Sequence, residues 1–334
     1  MAVYTLVPDA DMERFVASYG LGELLSCKGI AEGVENTNFL IKTAKGPFIL
    51  TLYEKRVDLD DLPFFLELME HLARAGLTCP TPVRDSEGRN LRQLMGRPAA
   101  LITFLDGLSL HRPTPVHCQA VGAALAKLHL AGRDFDMRRS NALGLSGWRP
   151  LYQRFATRAD EIAPGLGKMI SDELAELDRL WPRRSSTEDA EQHENYLPGI
   201  ETGVIHADLF PDNVFFRGDR LTGIIDFYFA CNDAYAYDIA ICLNAWCFSD
   251  AHQFELDKSR ALLSGYRSRR ELTQAELSAL PTFARGAALR FLLTRAYDWL
   301  HRSSEALVSP KDPRDYMSRL AFHQSVSSLR DYGI

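Results

Sequence analysis

Apolar positions along the chain follow two rhythms, and the change from one to the other divides it. "TNFLIKTA" and "GPFILTLYE" alternate apolar and polar residues, and Lys45-Gly46 between them predicts a β-hairpin. Upstream, "MERFVASYGLGELLSCKGIAEG" opens on a short helical pattern and runs into a glycine-marked turn. "DDLPFFLELMEHLARAGL" predicts a helix capped by Asp60 or Asp61, with Pro63 in its first turn and Gly76 at its end. After Pro80 and Pro82, the segments around Asp85–Gly88 and "PAALITFLDG" suggest a further strand pair. Residues 1–102 therefore read as a small α+β lobe built on an antiparallel sheet, and residues 103–107 as a short hinge.

Beyond Gly107 helical spacing takes over. "TPVHCQAVGAALAKLHLAG" has Thr114 as N-cap and Pro115 at the first helical position, and further helical stretches run through about 150–180 and from about 236 to the end. Residues 182–199 are polar without periodicity and read as an exposed loop. Three short apolar runs, Val204-Ile205, Val214–Phe216 and Ile224-Ile225, interrupt the helices as strands. The expected fold class is α+β with two lobes: a small antiparallel-sheet N-lobe and a larger, mainly helical C-lobe over 108–334. A nucleotide is expected in the crevice of such a fold.

Composition narrows the function. The 334 residues are 46% hydrophobic and 25% charged, as in ordinary globular proteins, and the net charge of -6 argues against nucleic acid as the main partner. No apolar run approaches the roughly 20 residues that span a bilayer, so no membrane partner is expected. The first residues lack a basic segment and an apolar core of signal type, which predicts a cytoplasmic protein. Six cysteines without a C-x-x-C pair fit reduced thiols used in packing.

The candidate chemistry sits in "VIHADLFPDNVFFRGDRLTGIIDFYFA". His206, Asp208 and Asn213, with Asp226 13 residues after the Asn, reproduce the spacing of a kinase catalytic loop and its metal-binding Asp. Phosphoryl transfer from ATP leaves the protein positioning and charge neutralisation to do. Asp208 is the candidate base for the attacking hydroxyl. Asn213 and Asp226 are the candidate ligands of Mg²⁺, a hard cation that prefers oxygen. His206 reads as a structural residue of the loop. Only 11 residues separate Asp226 from Asp238 and no A-P-E follows, which leaves no room for a peptide platform. The expected acceptor is a small hydroxyl compound.

"HADLFPDNVFF" and "GIIDF" resemble the hallmark of the aminoglycoside phosphotransferase and choline kinase-like superfamily, which has a protein-kinase-like fold. "GVENTNFLIKT", "GPFILTLYEKR", "YDIAICLNAWCF" and "ALRFLLTRAYDWL" are similar to its bacterial homoserine kinase branch. The resemblance implies transfer from ATP to the hydroxyl of L-homoserine, the committed step toward threonine. It implies that the loop 29–38, with Gly33, Asn36 and Asn38, covers the phosphates, and that adenine meets the hinge backbone near Thr103 to Leu105. Thr51 stands where kinases carry a phosphate-binding Lys, so Lys42 and Lys55 are both candidates for that role, with Glu67 as the acidic partner. Asp238 resembles the Asp that braces the catalytic loop. For a zwitterionic acceptor, Arg290, Arg295 and Asp298 supply a cation–anion set on one helix, and Tyr228, Asn244 and Trp246 are candidate lining residues. A kinase of another small alcohol (aminoglycoside, choline, hydroxylysine or methylthioribose) and a nucleotide-binding pseudokinase stay open as alternatives. Oligomeric state is not legible.

Overall fold

The first apolar stripe, Met12, Phe15 and Val16, winds Asp9–Ala17 into α1, which Pro8 precedes in extended conformation. The computed structural model describes residues 5–30, 36–54, 58–183, 196–302 and 311–334, and these form two units. In the first, which runs to Gly107 and includes Thr222–Tyr228, strands β1 (Leu24–Ile30), β2 (Thr37–Thr43) and β3 (Gly46–Leu52) lead to helix α2 (Leu62–Arg74). Strands β4 (Arg92–Leu94) and β5 (Arg97–Thr103) complete an antiparallel sheet of order β1-β2-β3-β5-β4. The expected hairpin is β2–β3, closing with Thr43 opposite Gly46.

Strand alternation sorts the residues of this sheet by face. Phe39, Ile41, Leu50, Leu52, Ala99 and Leu101 bury against Met12, Phe15 and Val16 of α1. Opposite parity turns Thr51 and Tyr53 to the other face, where both are buried. The turn pattern failed in two places. β1 is an edge strand with little burial, so no alternation marks it. The Asp85–Gly88 segment is a turn and not a strand. The Asp85 carboxylate accepts from the backbone N–H groups of Glu87 and Arg89, both at 2.9 Å, and from the Arg89 and Arg92 side chains. Burial pushes the Asp85 carboxyl up, but these backbone and guanidinium donors outweigh it and hold it down at about 2.

Helices α3 (Pro115–Ala131), α4 (Leu145–Gln153) and α5 (Leu166–Leu180) open the second unit. Strand β6 (Thr202–Ile205) follows, then β7 (Val214–Arg217) and β8 (Arg220–Ile224), whose last three residues belong with the first unit. Strand β9 (Cys231–Ala234) pairs antiparallel with β6. Helices α6 (Tyr235–Trp246), α7 (Leu256–Arg267), α8 (Gln274–Leu300) and α9 (Arg314–Ser325) complete it. Thr114 caps α3 as expected, in a reciprocal arrangement with His117. Glycine lets α3 and α7 meet at backbone distance: a Cβ on Gly122 would lie 1.9 Å from the Leu262 carbonyl oxygen, and one on Gly265 2.0 Å from that of Gln119.

Among the described residues no helix is long and apolar enough to cross a membrane. All six cysteines are free thiols; five are buried, but Cys27 on the edge strand β1 is exposed and packs no core.

Candidate functional site

Strand β6 delivers the chain into the 206–213 loop, where buried side chains from other elements hold several of the peptide groups. Ala207 turns with φ 61°, a left-handed conformation that costs about 1–2 kcal/mol for a residue with a Cβ. The carboxylate of Asp238, in the first turn of α6, supplies the offset. It accepts from the N–H of His206 at 2.7 Å and of Ala207 at 3.0 Å. His129 Nε2 lies 3.1 Å from the same carboxylate, and His129 Nδ1 lies 2.8 Å from the Tyr266 hydroxyl. Burial alone would raise the Asp238 carboxyl, yet the His129 imidazole and the loop donors hold it below the ordinary carboxylate range. Burial pushes His129 down, toward the neutral imidazole.

The carbonyl side of the loop is held from other helices. The Arg290 guanidinium on α8 donates to the Ala207 carbonyl, and Trp246 Nε1 on α6 donates to that of Leu209 at 2.7 Å. His206 Nδ1 accepts from the Asp208 N–H at 3.2 Å, which gives this histidine the structural role expected of it. Asn213 Nδ2 donates to the Asp208 carbonyl at 2.8 Å and to its carboxylate at 3.2 Å. Asp208 and Asn213 are thus brought together, with the Asp208 side chain half-buried on a fixed backbone. The amide nitrogen of Asn213 is committed to Asp208. Its carbonyl oxygen has no hydrogen-bond partner among the described residues, so it is a hard neutral donor of the kind Mg²⁺ takes.

Asp226 belongs to the first unit, two residues beyond the end of β8, and it too has a left-handed φ, of 65°. Phe227 after it is fully buried. The Tyr228 hydroxyl lies 3.1 Å from that of Tyr53, the residue after β3, and its ring meets those of Tyr53 and Phe65 edge-on at 5.4 and 5.6 Å. Burial pushes both phenols up, Tyr228 to about 12, so neither ionises near neutral pH. Next to them on β3, the Thr51 hydroxyl donates to Asn38 Oδ1 at 2.8 Å, and Asn36 Oδ1 accepts from the Glu54 N–H at 3.3 Å. Thr103 is tied by N–H and hydroxyl to Thr81, and Leu105 packs over Gly223, where an added Cβ would lie 2.6 Å from Leu105 Cδ1.

Several expected roles do not survive this geometry. Trp246 is fully buried and spends its only donor on the loop, so it lines no acceptor site. Asn244 is also fully buried, and its amide nitrogen ties Ala240 to Ala284 between α6 and α8. Arg295 pairs with Asp315 at 3.2 Å and lies 4.5 Å over the Tyr316 ring, fastening α8 to α9. Asp298, one turn on, is half-buried. Arg290 is 2% exposed and serves the loop backbone. In the first unit Glu67 pairs with Arg84 at 3.2 Å and with Asn90, not with a lysine among the described residues. Lys42 is exposed at the hairpin end of β2, opposite Pro47. Gly33 and Lys55 lie outside the described residues. The residue missed altogether is His129. Its signal was a histidine in the apolar stripe of a helix, where an unsatisfied imidazole would be destabilising.

A two-lobe frame and an H-x-D-x-x-x-x-N loop held in this way define a class of phosphotransferase. The family model described as "Phosphotransferase enzyme family" matches residues 26–272, and the chain belongs to that family. Closer relatives bear a more particular name. The chain is 58% identical to a homoserine kinase of Rhodopseudomonas palustris over all of its own length and 98% of that protein's. It is 56% identical to a homoserine kinase of Xanthobacter autotrophicus, again over its whole length and 99% of the relative. Among solved structures it is similar to an amicoumacin kinase in complex with AMP-PNP and Ca²⁺, with a TM-score of 0.65, 17% identity, and coverage of 95% of this chain and 92% of the other. At that identity the likeness speaks for the fold, which is kinase-like.

Proposed function

We propose that the protein is an ATP-dependent kinase of L-homoserine, acting in the cytoplasm on the route to threonine. The observation that carries this reading is its 58% identity, end to end, with a homoserine kinase. The loop geometry supports it chemically. The homoserine hydroxyl attacks the γ-phosphorus; the new O–P bond forms as the bond to the β-phosphate oxygen breaks, releasing ADP. Asp208 accepts the hydroxyl proton. Asn213 and Asp226 are the residues that would hold Mg²⁺, whose charge offsets that of the phosphate oxygens. Asn36, Asn38 and Thr51 lie at the end of the β2–β3 hairpin away from its turn, and they offer neutral hydrogen-bonding groups where kinases commonly place a lysine.

The test is ADP release with a panel of acceptors: L-homoserine, choline, an aminoglycoside and hydroxylysine. Turnover dependent on homoserine, with the others at least about 100-fold lower in kcat/KM, is the expected outcome, since a site built for one set of polar groups rejects analogues by such factors. Equal or better turnover of another acceptor reassigns the substrate, and nucleotide binding without turnover of any favours a pseudokinase.

A further inference from the structure

A buried arginine should have an anion. Arg290 is 2% exposed, and its Nε is buried without a hydrogen-bond partner. Among the described residues no carboxylate pairs with it, and its one hydrogen-bond acceptor is a backbone carbonyl. Its neighbours are the Ala207 carbonyl and two aromatic rings, Phe291 at 4.6 Å and Phe229 at 5.7 Å from the guanidinium carbon. Desolvating a guanidinium without a counter-charge is expensive, and a hydrogen bond to one carbonyl does not explain it. The neighbouring carbonyl makes the point. Leu209, on the far side of Asp208, is held by the neutral indole of Trp246. A neutral donor is sufficient to hold a peptide here, so the cation at Ala207 serves something more than hydrogen bonding.

We infer that Arg290 is a positioning residue of phosphoryl transfer: through the Ala207 peptide it fixes the direction of Asp208, and its charge, which no carboxylate among the described residues contacts directly, offsets the negative charge gathered at the loop by Asp208 and Asp238. This rests on the reading of Asp208 as the base. Ala207 is where such a hold matters, because its left-handed turn sets the next side chain. The rings of Phe229 and Phe291 keep the guanidinium in place and dry, which strengthens its field.

The experiment is a double-mutant cycle between Arg290 and Asp208 with homoserine as acceptor, together with Arg290→Lys. Arg290→Met is expected to lower kcat about 100-fold, the scale of a catalytic group misplaced by an ångström, and to leave the KM values for ATP and homoserine within about threefold. In an Asp208→Asn background the same change should lower the residual kcat by less than about threefold, because the group it serves is gone. Arg290→Lys, which keeps the charge, should recover at least about tenfold of the loss. MgADP binding to each variant checks that it is folded; should Arg290→Met not fold, Arg290→Gln takes its place in the cycle. An equal loss in both backgrounds, a loss in acceptor KM alone, or no recovery with lysine overturns the inference. If the parent protein prefers another alcohol, the substrate reading fails and the cycle is run on that alcohol, which separates the two failures.

Discussion

The two segments that carry the candidate chemistry are held by different means. The 206–213 loop is pinned by charged and strongly polar buried groups: Asp238 on two N–H groups, Arg290 and Trp246 on two carbonyls, His129 and Tyr266 behind Asp238. The segment around Asp226 has neutral phenols among its anchors, Tyr228 against Tyr53, with Phe65 at their edge. The difference follows from the tasks proposed for them. A general base must lie within hydrogen-bond reach of one proton, so its backbone is over-determined. A metal ligand is drawn into place by the ion it binds, and a softer anchor serves it.

That contrast can be broken at either side. The largest effect is expected on the loop. Asp238→Asn leaves the N–H groups of His206 and Ala207 facing an amide, and it removes one partner of the buried pair with His129. A loss of about 3 kcal/mol in unfolding free energy is expected, as when buried donors lose a charged acceptor, with at least a 100-fold fall in kcat. Chemical denaturation and initial rates check it; a kcat within tenfold of the parent would mean that the loop holds itself. Tyr228→Phe should do much less. Losing one neutral hydrogen bond to Tyr53 costs about 1 kcal/mol, and kcat is expected to stay within about threefold of the parent. A Tyr228→Phe loss as deep as that of Asp238→Asn would erase the distinction between the two anchors.

The same contrast explains what was legible in the sequence. Asp208, Asn213 and Asp226 became candidates because their spacing is short, and the structure brings the first two together; the β2–β3 hairpin was legible because its alternation is strict. The acceptor set was misjudged where a polar side chain was taken for an exposed one. Trp246, Asn244 and Arg290 are consumed by backbone groups that other helices bring to them, and nothing within a helix's own sequence announces such a partner. β1 escaped notice for the opposite reason, since an edge strand with little burial has no pattern to read. Asp238 as a brace was visible by resemblance, while the His129–Tyr266 support behind it required the packing of α3 against α7.

The most direct measurement is the rate of O-phosphohomoserine formation by the parent protein and by Asp208→Asn, with MgATP affinity determined for both. If Asp208 takes the hydroxyl proton, the variant should bind MgATP within about threefold of the parent and form product about 10³-fold more slowly, as expected for loss of a general base. Product formation within tenfold of the parent, or a collapse of MgATP affinity with the rate at saturation intact, would contradict the account.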